Sequence, residues 1–260
     1  MTDTIDLNSD LGEGFGKYSL GNDAAMLDIV SSVNVACGFH AGDPDIMSDL
    51  AEQTLQKGIA LGAHPGFRDL HGFGRRQIHG IPDAELEHLI IYQVGALQAL
   101  ARAVGQTVSH VRAHGALGNM SDSDPAVAAP LARAVHRLDP GLALMTLPDC
   151  PADLAAAKLG LNVVRQAFAD RAYNTDGSLV SRQLPGAVFT DARQAAERVI
   201  RLVQEGVVET IDGTLIRLDA RTVCVHGDSP AAVAMAESIR TRLENEGIGI
   251  RPFMDHDDWR

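Results

Sequence analysis

Short apolar runs alternate with amphipathic segments along almost the whole chain. Seven runs of mostly apolar residues predict β-strands at 4–8, 33–37, 59–63, 109–113, 142–147, 162–168 and 222–225. Apolar residues at helical spacing, bounded by capping residues, predict helices at 22–30, 44–57, 82–104, 125–138, 151–159 and 192–204, and a last helix that starts at 229–230 and closes at 247. A strand–helix alternation of this kind predicts an α/β fold with a parallel sheet.

Polar residues stand where the predicted strands end. They follow six of the seven strands: Asn8, Asp10, His40, His64, His114, Asp170, His226, Asp228. In an open sheet the strand ends would be spread along a line, whereas in a closed barrel they converge on one mouth, where barrel enzymes carry their active sites. We therefore predict a seven-stranded, TIM-like β/α barrel whose mouth holds these side chains.

No linker, low-complexity stretch or block of like charge divides the 260 residues. This length suits one large α/β domain, so we expect a single barrel domain over 1–260. The dipeptide Asp212-Gly213 separates two alternating stretches, which is a strong signal for a β-hairpin. We expect that hairpin, at about 207–218, to be an insertion in the barrel.

Charge and composition indicate what kind of molecule the protein binds and in which cellular compartment it is found. The formal net charge is -12 at pH 7 and the 22 Lys and Arg residues are scattered, which argues against nucleic acid or an anionic membrane as partner. The first residues lack a basic and an apolar region, and no stretch approaches the ~20 apolar residues of a membrane span. The three cysteines stand far apart, which suits reduced thiols. We expect a cytoplasmic protein that acts on a small molecule.

Four of the strand-end histidines are each followed by small residues: His40, His64, His114, His226. A single histidine in such a turn is usually a helix cap or a satisfied polar group, but four together with carboxylates indicate an active site. They could bind a divalent metal that activates water, or act as metal-free acids and bases. The first strand carries neither His-x-His nor an adjacent Asp pair, and the spacing of His110 and His114 arises easily by chance. Whether this site binds a metal ion stays open at this point, and no residue is assigned as a metal ligand.

Two loops carry further candidate groups. The glycine-rich segment 12–17 lacks the Gly-x4-Gly-Lys-Ser/Thr pattern, so a nucleotide site in this chain is not of the P-loop type. The loop that follows His64 is long enough to suggest a function. Its arginines, Arg68, Arg75 and Arg76, could clamp an acidic substrate or form a solvated rim.

Seven segments, taken in chain order, carry a resemblance to a known family. They are DLNSDLGE at 6–13, ACGFHAGD at 36–43, GAHP at 62–65, GFGR at 72–75, HGAL at 114–117, FADRAY at 168–173 and VHGD at 225–228. From Asp6 to about Gly247 the chain resembles the LamB/YcsF family, which includes the A subunit of bacterial ATP-dependent 5-oxoprolinase.

The resemblance implies a barrel related to the glycoside hydrolase/deacetylase superfamily. It also implies hydrolysis of the lactam of 5-oxo-L-proline to L-glutamate, coupled to ATP hydrolysis with Mg as the counter-ion of ATP. The family performs this reaction with partner subunits B and C. Because a five-membered lactam is resonance-stabilised and unstrained, coupling its hydrolysis to ATP is physically sensible.

The resemblance further implies roles for individual residues. The catalytic groups implied are Asp10, His40, His64, His114 and Asp170. The cofactor-binding groups implied are Glu13, Arg75, His226 and Asp228. The substrate-binding groups implied are Asn8, Asn34, Arg68, Arg112 and Arg171.

Three positions depart from the family's motifs. Arg112 stands where a lysine is usual, Gly118 where a tyrosine is usual, and Ser9 where a cysteine is often found. Arginine keeps the positive charge but is a poor base, and the loss of a tyrosine ring enlarges a pocket. The substrate could therefore be another lactam or amide. Two alternatives stay open: a metal-dependent amidohydrolase or deacetylase-like hydrolase that works without ATP, and a non-catalytic subunit that binds a sugar or lactam.

Overall fold

Seven parallel strands close into a barrel in the computed structural model, which describes residues 4–227 and 231–254. The strands found in these residues are β1 (Thr4–Leu11), β2 (Ser32–Ala36), β3 (Ala60–His64), β4 (Val108–Val111), β5 (Ala143–Thr146), β6 (Asn162–Phe168), β7 (Val207–Glu209), β8 (Leu215–Arg217), β9 (Thr222–Cys224) and β10 (Gly249–Ile250). The helices found there are α1 (Asp23–Leu27), α2 (Pro44–Lys57), α3 (Asp83–Val104), α4 (Gly115–Ser123), α5 (Pro125–Leu138), α6 (Pro151–Lys158), α7 (Ala192–Glu205) and α8 (Ala232–Asn245).

The strand order of the barrel is β1-β2-β3-β4-β5-β6-β9, and β9 pairs again with β1 to close the ring. Every pairing around the ring is parallel. At the closing seam Asp6 lies beside Thr222 and Asn8 beside Cys224. The closed ring confirms the predicted seven-stranded β/α barrel. Because the strands are parallel, their carboxyl ends all meet at one mouth.

Capping groups fix where the surrounding helices begin and end. Asp43 accepts hydrogen bonds from the backbone N–H groups of Asp45 and Ile46, and Pro44 occupies the first turn of α2, as the sequence predicts. Gly58 ends α2 with φ at 66°, a left-handed conformation that favours glycine. The apolar faces of the helices pack on the outer faces of the strands, and one large apolar cluster fills the space between them.

The largest differences from the sequence-based prediction are in β1, α1, α4 and β10, and α1 ends at Leu27, three residues before its predicted end at 30. β1 continues to Leu11 and includes Asp10, because its pairing with β2 extends past Asn8. The sequence predicts no helix where α4 lies, since the glycine, asparagine and serine residues there are weak helix formers. Packing stabilises α4 despite the low helix propensity of its residues, because α4 buries Leu117 and contacts α5 and α6. β10 has two residues, too few to produce a pattern.

The C-terminal segment covers the end of the barrel opposite the mouth. β10 pairs with the first residues of β1, Thr4 and Ile5. Beyond it, Phe253 packs with interior residues of two neighbouring strands: Ala143, Met145, Val164. The Phe253 ring also meets the His110 ring edge-on, with the ring centroids 5.1 Å apart. An aromatic ring therefore forms the floor of the barrel interior.

An antiparallel pair of strands lies outside the barrel sheet. β7 and β8 pair Val207 with Arg217 and Glu209 with Leu215, on either side of the Asp212-Gly213 turn. That the whole chain is one domain stays a prediction. The predicted start of the last helix at 229–230 lies outside the described residues. None of the helices that the structure describes combines the length and apolar character needed to cross a membrane.

Candidate active site

Polar side chains line the barrel interior from its floor towards the mouth. On β1 the alternate residues Asp6, Asn8 and Asp10 share one face, because successive side chains of a strand point to opposite sides. Asp6 lies nearest the floor and accepts hydrogen bonds from three hydroxyl groups: Ser31, Ser32, Thr222. Burial raises the pKa of Asp6 to about 6, although these hydroxyl groups oppose the rise.

Two asparagines connect this floor to Asp10. The Nδ2 of Asn8 donates to the Thr222 hydroxyl over 2.6 Å. The Nδ2 of Asn34 donates both to Oδ1 of Asn8 and to Oδ1 of Asp10, each over 2.9 Å. Both asparagine side chains are fully buried, and these hydrogen bonds commit their amides to the interior network. Their predicted role in substrate binding stays a prediction.

His110, for which no role is predicted from the sequence, joins the same network. Its Nε2 lies 2.9 Å from Oδ1 of Asn34, and its Nδ1 lies 2.8 Å from the hydroxyl of Ser109. Because Oδ1 can only accept, Nε2 carries the proton. Burial and the nearby His64 lower the pKa of His110 to about 3. The sequence feature that goes with this inward-pointing ring is Gly62 on β3. A Cβ at Gly62 would lie 2.1 Å from Nε2 of His110, so only glycine leaves room for the ring.

His64, at the end of β3, has its tautomer fixed by a backbone carbonyl. Its Nδ1 lies 2.7 Å from the carbonyl oxygen of Arg112, so Nδ1 carries the proton and donates. Its Nε2 lies 3.3 Å from Oδ2 of Asp10. Burial alone would raise the pKa of Asp10, but the charge and hydrogen bond of His64 hold that pKa well below its usual value. Asp10 is therefore a carboxylate at neutral pH.

His114, which immediately precedes α4, is fixed in the opposite tautomer. Its Nε2 lies 2.8 Å from the carbonyl oxygen of Phe73, so the proton is on Nε2. Its Nδ1 lies 3.0 Å from Nε2 of His64 and 3.8 Å from Oε1 of Glu13. Burial and the neighbouring His64 lower the pKa of His114 to about 3, so its ring is neutral at neutral pH.

His40 stacks on His114, with ring centroids 3.7 Å apart and planes 4° from parallel. Both its ring nitrogens are buried and have no hydrogen-bond partner within the described part of the chain. Burial, then His114 and His64, lower the pKa of His40 well below its usual value. Two glycines make room for this stack, since a Cβ would lie 2.6 Å from Nδ1 of His40 at Gly66 and 2.7 Å from Cδ2 of His114 at Gly74.

Four buried groups in this mouth can hold a metal ion: Glu13, His40, His64, His114. One ligand atom from each lies within 4.8 Å of the other three. The four come from separate segments of the sequence, which is why no local ligand spacing is visible in it. The cluster also contains four of the residues implied as catalytic or cofactor-binding, and Asp10 adjoins it through His64.

A second polar group stands at the ends of β6 and β9. The Nδ1 of His226 lies 2.8 Å and 2.9 Å from the two oxygens of Asp170, and the His226 ring stacks on Phe168. Burial would raise the pKa of Asp170, but the paired His226 keeps it below its usual value. His226 also acts electrostatically on Asp10, so both groups belong to one mouth. Asp228 lies outside the described residues.

Arginines surround the second group. Arg171 is buried and donates from Nη2 to the carbonyl oxygen of Val180 over 2.6 Å. Burial and the nearby Arg182 lower the pKa of Arg171 to about 10, with a smaller contribution from Arg75. Arg182 lies in a loop that carries no motif, so its place beside Arg171 could not be predicted from the sequence. Such a concentration of guanidinium groups suits a carboxylate or phosphate.

The other two arginines that were predicted to bind substrate, Arg112 and Arg68, contact aromatic rings. Arg112 donates from Nη1 to the carbonyl oxygen of Ala113 over 3.1 Å, and its guanidinium lies 5.5 Å from the Phe168 ring centroid. Arg68 is exposed, and its guanidinium lies 4.7 Å from the ring centroid of Phe39. The predicted roles of both arginines in substrate binding stay predictions.

The model of the LamB/YcsF family matches residues 5–258 of this chain. The chain belongs to the LamB/YcsF family. The LamB/YcsF motifs at 6–13, 36–43, 62–65 and 114–117 supply the histidine cluster, and the motif at 72–75 supplies Gly74 beside it. The motifs at 168–173 and 225–228 supply the Asp170–His226 pair.

Relatives and solved structures agree with this LamB/YcsF assignment. A protein named as the A subunit of 5-oxoprolinase, from Rhodopseudomonas palustris, is 52% identical over 249 residues, which span 96% of this chain and 98% of that protein. The crystal structure of a lactam utilization protein from Thermus thermophilus is 42% identical with a TM-score of 0.91, and the match covers 95% of this chain and 99% of that one.

A more distant structure shares the fold alone. The pneumococcal virulence factor StrH is 10% identical with a TM-score of 0.51, and the match covers 95% of this chain and 85% of that one.

Proposed function

We propose that this chain is the A subunit of a 5-oxoprolinase that opens the lactam of 5-oxo-L-proline to L-glutamate and couples this step to ATP hydrolysis. The observation that carries the proposal is the 52% identity to the A subunit of a 5-oxoprolinase over 96% of the chain. The buried acid–base groups of the mouth are the kind of groups that amide hydrolysis needs. Partner subunits B and C belong to this proposal.

Substrate and nucleotide both present anions to the mouth. The guanidinium groups near Asp170 fit such anions, because Arg171 is buried and both Arg182 and Arg75 lie close enough to affect its pKa. We assign the substrate carboxylate to Arg171 and Arg182. Arg75 and His226 are assigned to the phosphate side. The cofactor-binding roles of Glu13 and Asp228 stay predictions. When bound, ATP would supply the free energy for opening an unstrained, resonance-stabilised amide.

Proton transfer is assigned to groups whose tautomers the structure defines. Asp170 accepts from Nδ1–H of His226, which leaves Nε2 of that ring as an acceptor for a proton. Asp10 is a carboxylate held by Asn34 on one oxygen, with His64 beside the other. We propose that Asp10 and the Asp170–His226 pair remove a proton from water and deliver one to the leaving nitrogen, and that His40, His64 and His114 orient the reacting groups.

The test is a reconstitution with purified subunits. The chain is mixed with its B and C partners, 5-oxoproline, ATP and magnesium, and the release of glutamate and phosphate is measured. We expect both products from the complete mixture, and neither when this chain is omitted. Release by B and C alone, or no release from a complete mixture of folded subunits, would contradict the proposal.

A second candidate is a metal-dependent amidohydrolase that acts on another lactam or amide without ATP. The observation that favours it is the buried cluster of one glutamate and three histidines, whose ligand atoms lie within 4.8 Å of one another. For this candidate the isolated chain would hydrolyse an amide without ATP, and a chelator would stop it. The absence of any ATP-independent turnover in the metal-loaded chain would exclude it.

A further inference from the structure

Two ring nitrogens face each other in the mouth at hydrogen-bond distance, and if both rings are neutral there is no proton between them. Nδ1 of His64 is a donor to the Arg112 carbonyl, and Nε2 of His114 is a donor to the Phe73 carbonyl. A neutral imidazole has a single N–H, so the other nitrogen of each ring carries a lone pair. These two lone pairs belong to Nε2 of His64 and Nδ1 of His114, which lie 3.0 Å apart.

Such a contact is repulsive unless something positive lies between or beside the two nitrogens. An additional proton is one possibility and a metal ion is the other. A zinc ion binds histidine nitrogen at about 2.0–2.1 Å, so two nitrogens on one ion are at most about 4.2 Å apart. The separation of 3.0 Å between the two nitrogens and that of 3.8 Å from His114 Nδ1 to Oε1 of Glu13 both fall within this limit.

His40 provides a second, independent observation. The residue is 1% exposed, and both ring nitrogens have no hydrogen-bond partner in the described part of the chain. A buried polar group without a partner costs free energy, so an occupant of the mouth that could bond to it would be stabilised. Because the His40 and His114 rings are parallel, their lone pairs cannot both point at one ion in this arrangement. His40 can therefore hydrogen-bond to a water molecule bound by the ion, but it cannot bind the ion together with His114.

We propose that the mouth binds one divalent transition-metal ion through Nε2 of His64, Nδ1 of His114 and the carboxylate of Glu13, with a water molecule in the remaining position beside His40 and Asp10. Two imidazoles and one carboxylate suit zinc or a similar ion, whereas magnesium and calcium prefer all-oxygen sites. Three protein ligands and one open position are typical of catalytic zinc sites, where the ion lowers the pKa of the bound water to about 7.

Each ligand is held by contacts that orient it for this purpose. A carbonyl that accepts from the far nitrogen of a ligating histidine fixes the tautomer and raises the basicity of the near nitrogen. The carbonyl groups of Arg112 and Phe73 do this for His64 and His114. Glu13 and Asp10 contribute negative charge to the site, which compensates that of the ion.

The experiment uses the isolated full-length chain, without ATP, substrate or partner subunits, so its outcome is independent of the proposed reaction. The untagged protein is stripped with a chelator, dialysed, and titrated with zinc by calorimetry; cobalt is used as a second probe because its visible absorption reports ligation. Four variants are compared: His64→Asn, His114→Asn, His40→Asn and the control His136→Asn, which lies on α5 away from the mouth. Circular dichroism checks that each is folded.

We expect one ion per chain in the wild type and in His136→Asn. His64→Asn and His114→Asn should each weaken zinc binding by at least about 100-fold, because each removes a ligand. His40→Asn should weaken it by less than about tenfold, since His40 meets the water and not the ion. Glu13→Gln provides a conservative variant that tests the carboxylate if a histidine variant does not fold.

Two results would overturn the site. One is a folded, stripped wild-type protein that binds neither zinc nor cobalt and whose nitrogen NMR spectrum shows an imidazolium at His64, because a shared proton would then explain the contact. The other is zinc binding that is equally strong in the wild type, His114→Asn and Glu13→Gln. A loss of binding confined to His40→Asn would overturn the assignment of the ligands.

Discussion

Backbone carbonyls determine what the imidazoles of the mouth can do. A histidine is either donor or acceptor at each nitrogen, and the Arg112 and Phe73 carbonyls settle that choice for His64 and His114. The carboxylate of Asp170 does the same for His226. The reactive nitrogens therefore point in directions fixed by the barrel, and the catalytic properties of each ring depend on a partner that is distant in the sequence.

Asp170→Asn tests the role of this orientation at His226. An asparagine of the same shape can present its N–H₂ group to Nδ1 and so favour the wrong tautomer. We expect kcat of the reconstituted enzyme to fall about 100-fold or more, with the chain still folded. Steady-state rates of glutamate release measure this, and Asp28→Asn, at an exposed ion pair with Lys57, is the matched control. Unchanged kcat in Asp170→Asn would rule out the role.

Arg182→Gln tests which arginine holds the substrate carboxylate. Arg182 is exposed and close enough to Arg171 to affect its pKa, whereas Arg68 contacts the ring of Phe39. We expect KM for 5-oxoproline to rise about tenfold in Arg182→Gln, because one charge-assisted hydrogen bond is lost. Arg68→Gln should leave KM within about twofold. The reverse result would restore Arg68, whose substrate-binding role the family resemblance implies, as the substrate-binding residue.

At the scale of elements, the barrel and most of its helices could be predicted from the sequence. The strand–helix alternation is strong, and caps such as Asp43 with Pro44 have a local physical cause. α4 could not be predicted, because its stability comes from burial against α5 and α6 and not from its own residues. The convergence of strand-end histidines could be predicted once a barrel was assumed. The contacts of His110 and Arg182 could not, since they depend on side-chain direction and loop position.

Gly62 on β3 shows how a strand makes room for a neighbour. A Cβ at Gly62 would lie 2.1 Å from Nε2 of His110, so the ring would have to leave its place beside Asn34. We expect Gly62→Ala to lower the free energy of unfolding by about 1–3 kcal/mol through overpacking. Urea denaturation measures the change.

Gly95→Ala on α3 is the matched control for this substitution. Apart from the neighbouring residues and the backbone of α3 itself, no atom of the described residues lies within 4 Å of a Cβ at Gly95. Alanine is a better helix former than glycine, so Gly95→Ala should raise the free energy of unfolding by about 0.5–1 kcal/mol. Equal effects from the two substitutions, or a stabilising Gly62→Ala, would contradict the explanation of the His110 position.

At the scale of the whole molecule, the buried histidines make stability depend on pH. Burial lowers the pKa of His110 and of His114 to about 3, and that of His40 well below its usual value. In the unfolded chain each titrates near about 6.5, so the unfolded state takes up protons first as the pH falls. The stability is therefore fully present above the unfolded pKa and is lost progressively as the pH falls towards the folded one. Asp6 acts in the opposite direction, because its pKa is raised to about 6 in the folded state.

The three histidines outweigh the single aspartate. Each histidine contributes a slope of about 1.4 kcal/mol per pH unit below about pH 6.5. We expect the free energy of unfolding of the chelator-treated protein to be lower by about 3 kcal/mol at about pH 5.5 than at about pH 7.5. Urea denaturation at the two pH values measures this, and the exposed His136→Gln variant should show the same difference. A stability that is constant or greater at the lower pH would contradict the burial of neutral histidines.

The central claim is that groups from the ends of separate strands act as one active site for lactam cleavage. The most direct test is Asp10→Asn, because Asp10 adjoins the histidine cluster and its carboxylate accepts from Asn34. The rate of glutamate release is measured in the reconstitution with B and C subunits, beside Asp28→Asn. We predict that Asp10→Asn lowers kcat by about 100-fold to 10,000-fold while the chain stays folded and the control keeps the wild-type rate. A folded Asp10→Asn enzyme with the wild-type rate would contradict the claim.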